Sequence, residues 1–197
     1  CAHAEGDWLS NFDNPATLDS WRVRQMAWWR SPAMPATALV IGNQRLDDPN
    51  WEQSFKSLVG AFPIFLGDLR QVPPERKNRI RQWADWLKRM QAKYDYSMYR
   101  ADLPGFGEPM AGTWDGFSRI NTDTRTGGLV GVFRENALEK SRRLFVPGLA
   151  PEDSYEVTLA PEGKVLQVMT GRELAEKGFM VTLERVQDGA IFGIERR

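Results

Sequence analysis

The chain has 197 residues with 26 basic and 26 acidic side chains, so its formal net charge is zero. That length holds one sizeable domain or two small ones, and the balance persists in each half, which argues against a nucleic-acid backbone or an anionic membrane as partner. Cys1 is the only cysteine and His3 the only histidine, which excludes an internal disulfide, multi-histidine metal chemistry and, unless another chain contributes, Ser-His-Asp or Cys-His catalysis.

No metal or cofactor is therefore expected, and any catalysis would lean on carboxylates. The best apolar run, residues 36–41, is far below the ~20 residues of a membrane span. A single cysteine suits the cytoplasm and does not exclude a periplasmic or secreted protein, so no compartment is assigned.

In chain order, the first half reads as alternating helix and strand and carries seven of the eight tryptophans. A helix is expected over 15–29, with Pro15 in its first turn and Asp13 or Asn14 as cap. Leu18, Trp21, Gln25 and Trp28 follow helical spacing within it, as do Val23 and Met26. The run 36–41, ended by Gly42, suits a buried parallel strand, as does 62–66, ended by Gly67. A short helix at 51–59 lies between them.

The longest helix is expected over 74–94, opened by Pro73-Pro74-Glu75 and striped by Ile80, Trp83, Leu87, Met90 and Tyr94. Its seven basic residues read as a solvated face opposite that stripe. Trp28, Trp29, Trp51, Trp83 and Trp86 read as core.

Residues 101–113, with three Gly and two Pro, read as a linker. Beyond it the pattern changes to seven short strands, at 117–121, 128–134, 143–146, 154–159, 164–168, 179–185 and 190–195. Turn signals such as Pro147-Gly148 and Asp188-Gly189 separate them. The fold class is therefore α/β followed by all-β, the second part an antiparallel sandwich or barrel. The few strands before residue 100 cannot close a parallel sheet, and an eight-fold α/β barrel needs about 250 residues. The first half is expected to be the C-terminal portion of a (β/α)8 TIM barrel cut off upstream, over residues 1–105. An antiparallel β-sandwich domain follows over 106–197. A lipidated mature terminus at Cys1 is the competing account.

Four segments occur in one order: Gly128-Leu129-Val130-Gly131-Val132-Phe133-Arg134, Gly148-Leu149-Ala150-Pro151, Tyr155-Glu156-Val157, and Thr170-Gly171-Arg172-Glu173-Leu174 with Gly178. Together they resemble the C-terminal β-domain of melibiase-type α-galactosidases, within the retaining α-glycoside hydrolases. Residues 61–69 with Pro73-Pro74-Glu75-Arg76 resemble the last strand and helix of that family's barrel. More loosely, residues 19–25 resemble the helix after its sixth strand.

The resemblance implies hydrolysis of terminal α-linked sugars by two carboxylates on the barrel's C-terminal face. One is a nucleophile at the end of the fourth strand, the other an acid/base at the end of the sixth. The nucleophile would lie upstream of Cys1, and this chain alone would be inactive. Where the family has Ser-Asp before the helix, this chain has Ser10-Asn11. Asp13 is thus the candidate acid/base, with Asp7 and Asp19 behind it and helix capping as its alternative role. Cys1 and Gly6 correspond to a sugar-touching loop or simply to a chain terminus. Trp8 is a candidate stacking platform for the substrate, or a core residue.

Asp47, Asp48 and Asp68 follow strands and would sit on the active face, Asp68 with a turn role after Gly67 ahead of a contact to substrate. Asp115, Asp123 and Asp153 read as turn residues and not as a calcium site. The partner expected is a carbohydrate substrate. The rival reading is a non-catalytic carbohydrate-binding or structural module with a degenerate barrel.

Overall fold

The computed structural model describes residues 7–12, 16–43 and 46–197. The first half contains a parallel sheet in the order β1 (Asp7–Phe12), β2 (Leu39–Asn43), β3 (Phe62–Phe65). Parallel neighbours need long crossovers. Helix α1 (Ala16–Arg30) supplies the first and α2 (Trp51–Leu58) the second, while α3 (Pro74–Tyr94) follows the last strand.

The helix read over 74–94 has those bounds because Pro74 occupies its first turn and Asp95, at φ 48°, ends it in the left-handed region. The run at 36–41 enters its strand late, since Ala36–Ala38 form a single 3-10 turn. Strand β1 has no counterpart in the periodicity, and only the resemblance, with its acid/base at the end of a sixth strand, implies a strand ahead of α1. Its Trp-Leu-Ser-Asn-Phe run lacks alternation, and pairing with β2 identifies it.

The second half is antiparallel. Strands β4 (Ala101–Asp102), β5 (Trp114–Ile120), β6 (Gly127–Arg134), β7 (Ser141–Leu144), β8 (Ser154–Leu159) and β9 (Lys164–Thr170) precede helix α4 (Gly171–Glu176). Strands β10 (Phe179–Thr182) and β11 (Asp188–Arg196) follow it. Six of them form one sheet in the order β4-β5-β6-β11-β8-β9, and β7 and β10 pair separately. Leu144, Phe179 and Val181 of the small sheet share a buried cluster with Val130, Val132, Phe192 and Ile194 of the large one.

Two readings of this half change. The Gly- and Pro-rich stretch 101–113 is no free tether, because β4 pairs with Phe117 and Ser118 and the side chains of Leu103 and Phe106 are buried. Between the strands expected at 164–168 and 179–185, where no helix is expected, Thr170 caps α4. Thr170 accepts from the Glu173 N–H while the Glu173 carboxylate accepts from the Thr170 N–H, a capping box.

The large sheet is buried on both faces where it meets the helices, and the two-residue period of a strand sorts its side chains. On β5, Asp115, Phe117 and Arg119 face the first half; on β6, Leu129 and Phe133; on β11, Ile191 and Glu195. Phe117, Leu129, Phe133 and Ile191 join Trp51, Phe55, Trp83, Trp86 and Met90 in one cluster across the two halves. Two strand glycines make room for it. A Cβ at Gly131 would lie 2.5 Å from the Phe117 ring, and one at Gly193 would lie 3.3 Å from Trp86.

Arg119 is 1% exposed and has no acidic partner among the described residues. Its guanidinium donates to the carbonyls of Val59, Ala61, Ser97 and Tyr99 at 2.9–3.1 Å. Burial pushes its pKa down to about 10, so it stays charged at neutral pH. One side chain from β5 thereby ties down the turn before β3 and the loop after α3. Arg119→Met is expected to destabilise the protein by about 2–3 kcal/mol, because the freed carbonyls lose their donors. Arg119→Lys should recover only part of it, since an ammonium cannot span that fork. Urea unfolding of the two variants tests both points.

The basic residues of α3 are not simply solvated. Arg89 and Lys93 reach Glu195 of β11 at 2.8 and 3.2 Å, and Arg79 bridges Glu52 and Glu162. Burial alone would raise the pKa of Glu195, but Arg89 and Lys93 outweigh it and hold it below the usual 4.5. A depressed folded-state pKa means that stability is fully present above the ordinary glutamate range and is lost as pH falls through it. Glu195→Gln should therefore lower the urea midpoint at neutral pH. The gap to wild type should close well below the glutamate range.

Candidate functional site

All three parallel strands run the same way, so their C-terminal ends, Phe12, Asn43 and Phe65, lie on one rim. Loops leaving such a rim are where open α/β sheets and α/β barrels bind ligands. The register pairs Phe12 with Asn43 and Asn43 with Phe65, which levels the three exits. Asp13 follows Phe12 directly in the chain, but Asp13, Cys1 and Gly6 lie outside the described residues. Trp8 lies on β1 with its backbone paired to Val40. Asn11 is also on β1, opposite Gly42, and Asp7 opens the strand opposite Leu39. Asp19 lies in the first turn of α1.

The loops after β2 and β3 enclose a cavity of about 340 Å³ lined by Leu46, Asp47, Asp68, Gln71 and Arg76 among others. The Asp68 carboxylate accepts from the N–H of Arg70, from the Arg70 guanidinium at 2.9 and 3.1 Å, and from Gln71. Hydrogen bonds from Arg70 hold the Asp68 carboxyl below the usual carboxylate range, and Asp68 caps the 3-10 turn that follows. Asp48 is buried and accepts from the N–H of Asn50 at 2.6 Å. Asp47 is exposed at the cavity edge. Among the described residues no group of His, Cys, Asp and Glu could hold a metal ion. No helix among them is long and apolar enough to cross a membrane.

Behind this rim, α1 is anchored by a charge cluster that sequence reasoning missed. Its buried face is Ser20, Val23, Arg24 and Ala27, at helical spacing. Trp21 and Trp28 are only half-buried. Trp29, expected in the core, is 65% exposed, with its indole N–H donated to Glu108. The Arg24 guanidinium meets Asp115 at 2.7 and 2.8 Å, Glu135 at 2.5 Å and the Ser57 hydroxyl at 2.7 Å, with its carbon 4.0 Å from the centre of the Phe133 ring. Burial alone would lower its pKa, but the two carboxylates raise it. Asp115 is thus a buried ion-pair partner and not a turn residue. Asp123 accepts from the Tyr99 hydroxyl, and Asp153 pairs with Arg196. No signal in the sequence links Arg24 to a carboxylate 91 residues away.

No protein-family model and no curated protein matches the chain. Solved structures do. The GH36 α-galactosidase AgaB from Geobacillus stearothermophilus superposes with a TM-score of 0.72 at 19% identity, and AgaA from the same organism with 0.73 at 17%. The α-galactosidase from Lactobacillus brevis follows at 0.70 and 13%. Each match covers 91% of this chain, and the chain spans 24–25% of the length of those proteins. Variants of AgaA have been solved with raffinose and with stachyose. The fold is thus related to that of α-galactosidases, with mixed helices and a β-rich part.

Proposed function

We propose, from this shared fold, that the chain is part of a glycoside hydrolase that cleaves terminal α-linked sugars, α-galactosides first among them. In this reading residues 1–105 are the last strands and helices of a (β/α)8 barrel, and 106–197 are its C-terminal β-sandwich. Asp13 is the acid/base. It protonates the leaving oxygen, then takes a proton from the water that opens a glycosyl ester formed on a carboxylate supplied from upstream of Cys1. Two carboxylates about 5 Å apart would make the reaction retaining. Trp8 offers an aromatic face to the sugar ring, and the segment from Cys1 to Gly6 contributes to the sugar pocket.

The observation that carries this reading is the parallel register of β1 on β2. It ends the strand at Phe12, one residue before Asp13, where barrel enzymes draw catalytic side chains. The sugars bound to AgaA variants make galactose-containing oligosaccharides the first substrates to test. One observation favours the rival, a non-catalytic carbohydrate-binding module. Asn11 stands where the resembled family has its aspartate, and an amide cannot transfer a proton. Hydrolysis of α-galactosides by the protein with its upstream part, in wild type and Asp13→Asn, separates the two. Activity that collapses in the variant supports the enzyme, and inactivity of both supports the module.

A further inference from the structure

Strand β10 pairs with β7 on one side only, and its other edge is open. The Leu183 N–H donates to the Lys140 carbonyl, which continues the ladder and fixes its parity. Phe179 and Val181 therefore turn their backbone groups to β7, and Met180 and Thr182 turn theirs outward. The Ser141 and Thr182 hydroxyls agree, lying 2.8 Å apart as side chains do in pairs that share no backbone bond. Among the described residues nothing bonds to the N–H or the carbonyl of Met180 or Thr182. Sheets commonly blunt such an edge with proline, lysine or a bulge, and Phe179–Thr182 has none of these.

This edge runs along a cavity of about 380 Å³, which Met180, Val181, Thr182 and Leu183 all line. Consecutive strand residues point to opposite faces, so four in a row share a cavity only along the strand's edge. Leu159 and Leu166 of the β8–β9 hairpin and Phe192 of β11 line it as well. Two donors and two acceptors at alternate positions, beside apolar walls, match an extended chain, whose own backbone groups alternate in the same way. The rim sets its charge. Lys56, Arg79 and Arg185 stand against Glu162 and Asp188, one cation in excess. Arg185 is the least satisfied, being 84% exposed and 3.6 Å from an Asp188 carboxylate that Lys56 shares at 3.7 Å. A second copy fits less well, because the antiparallel register that pairs Met180 with Thr182 in both directions sets Lys177 opposite Arg185. We propose that the β10 edge takes up an extended acidic peptide segment as an added strand, with alternate apolar side chains turned into the cavity. The inference stands on this edge and does not depend on catalysis by Asp13.

The test uses three capped heptapeptides: alternating glutamate and valine, alternating lysine and valine, and the glutamate peptide with its glutamate nitrogens methylated. Amide hydrogen exchange of the protein is followed by NMR. The glutamate peptide is expected to bind at millimolar concentration or below and to slow exchange at Met180 and Thr182, while Val181, already bonded to β7, changes little. Methylation removes the donors that meet the Met180 and Thr182 carbonyls, so that peptide should bind about tenfold more weakly. Thr182→Pro should weaken binding of the glutamate peptide by about tenfold and stay folded, because the lost N–H has no ladder partner. Arg185→Glu, an exposed change outside β10, should weaken the glutamate peptide and favour the lysine peptide. No protection of the two amides would overturn the proposal, as would equal binding of the methylated peptide or an unchanged preference for glutamate in Arg185→Glu. Protection that grows with protein concentration in the absence of peptide would also overturn it, by making a second copy the occupant.

Discussion

Replacing Asp13 with asparagine in the protein with its upstream part is expected to lower hydrolysis of alkyl α-galactosides by about 10²–10⁴-fold, with little change in melting temperature. The substitution is chosen because asparagine and aspartate cap helices about equally well. If Asp13 only caps α1, activity and stability both stay near wild type. If it transfers protons, the rate falls and the fold does not. The loss should depend on the leaving group. An alkoxide leaves poorly without a proton, so alkyl galactosides should show the full effect. Phenols that leave unaided should lose less in the first step, and their slow step becomes attack by water that has lost its base. The alkaline limb of kcat/KM, which reports the acid in the free enzyme, should disappear with the carboxyl group. An unchanged rate on alkyl substrates removes Asp13 from the mechanism.

Arg24→Met is expected to destabilise the protein by about 3–5 kcal/mol, because it leaves the carboxylates of Asp115 and Glu135 buried without their cation. For a chain of this size that corresponds to a melting temperature lower by roughly 10 °C. The cost comes mainly from stranded charge and less from a lost favourable interaction. Combining Arg24→Met with Asp115→Asn and Glu135→Gln should therefore recover much of the stability. A triple variant no more stable than the single one would show that the loss arises from packing against Phe133. The cluster also matters for the proposed site, since it binds α1, the helix that follows the Asp13 segment, to strands β5 and β6.

The β-rich half was the more legible part. The alternation in Ser154–Leu159 and the turn signals around it give β8 its observed bounds, and Pro73-Pro74 does the same for the start of α3. The helix between β9 and β10 was not read, although its Thr170-x-x-Glu173 spacing is that of a capping box. At the site, Asp68 has the turn role that its place after Gly67 suggested. The buried face of α1 could not be read. Hydrophobic spacing favours Trp21 and Trp28, whereas the structure buries Arg24 and leaves Trp29 in solvent.

By itself the sequence determined the order of classes, α/β and then antiparallel β, because apolar periodicity and turn residues are local and act within a few positions. It also limited the chemistry of these residues, since one cysteine and one histidine exclude an internal disulfide and a multi-histidine metal site among them. Only the tertiary structure decided which partner pairs with β1, that Arg24 and Arg119 are buried, and that the Gln53 amide is buried without a partner among the described residues. Each of these depends on partners brought together from elements distant in the chain. A buried charge or amide is tolerable or costly according to what the fold sets opposite it, and that is a property of packing and not of any stretch of residues.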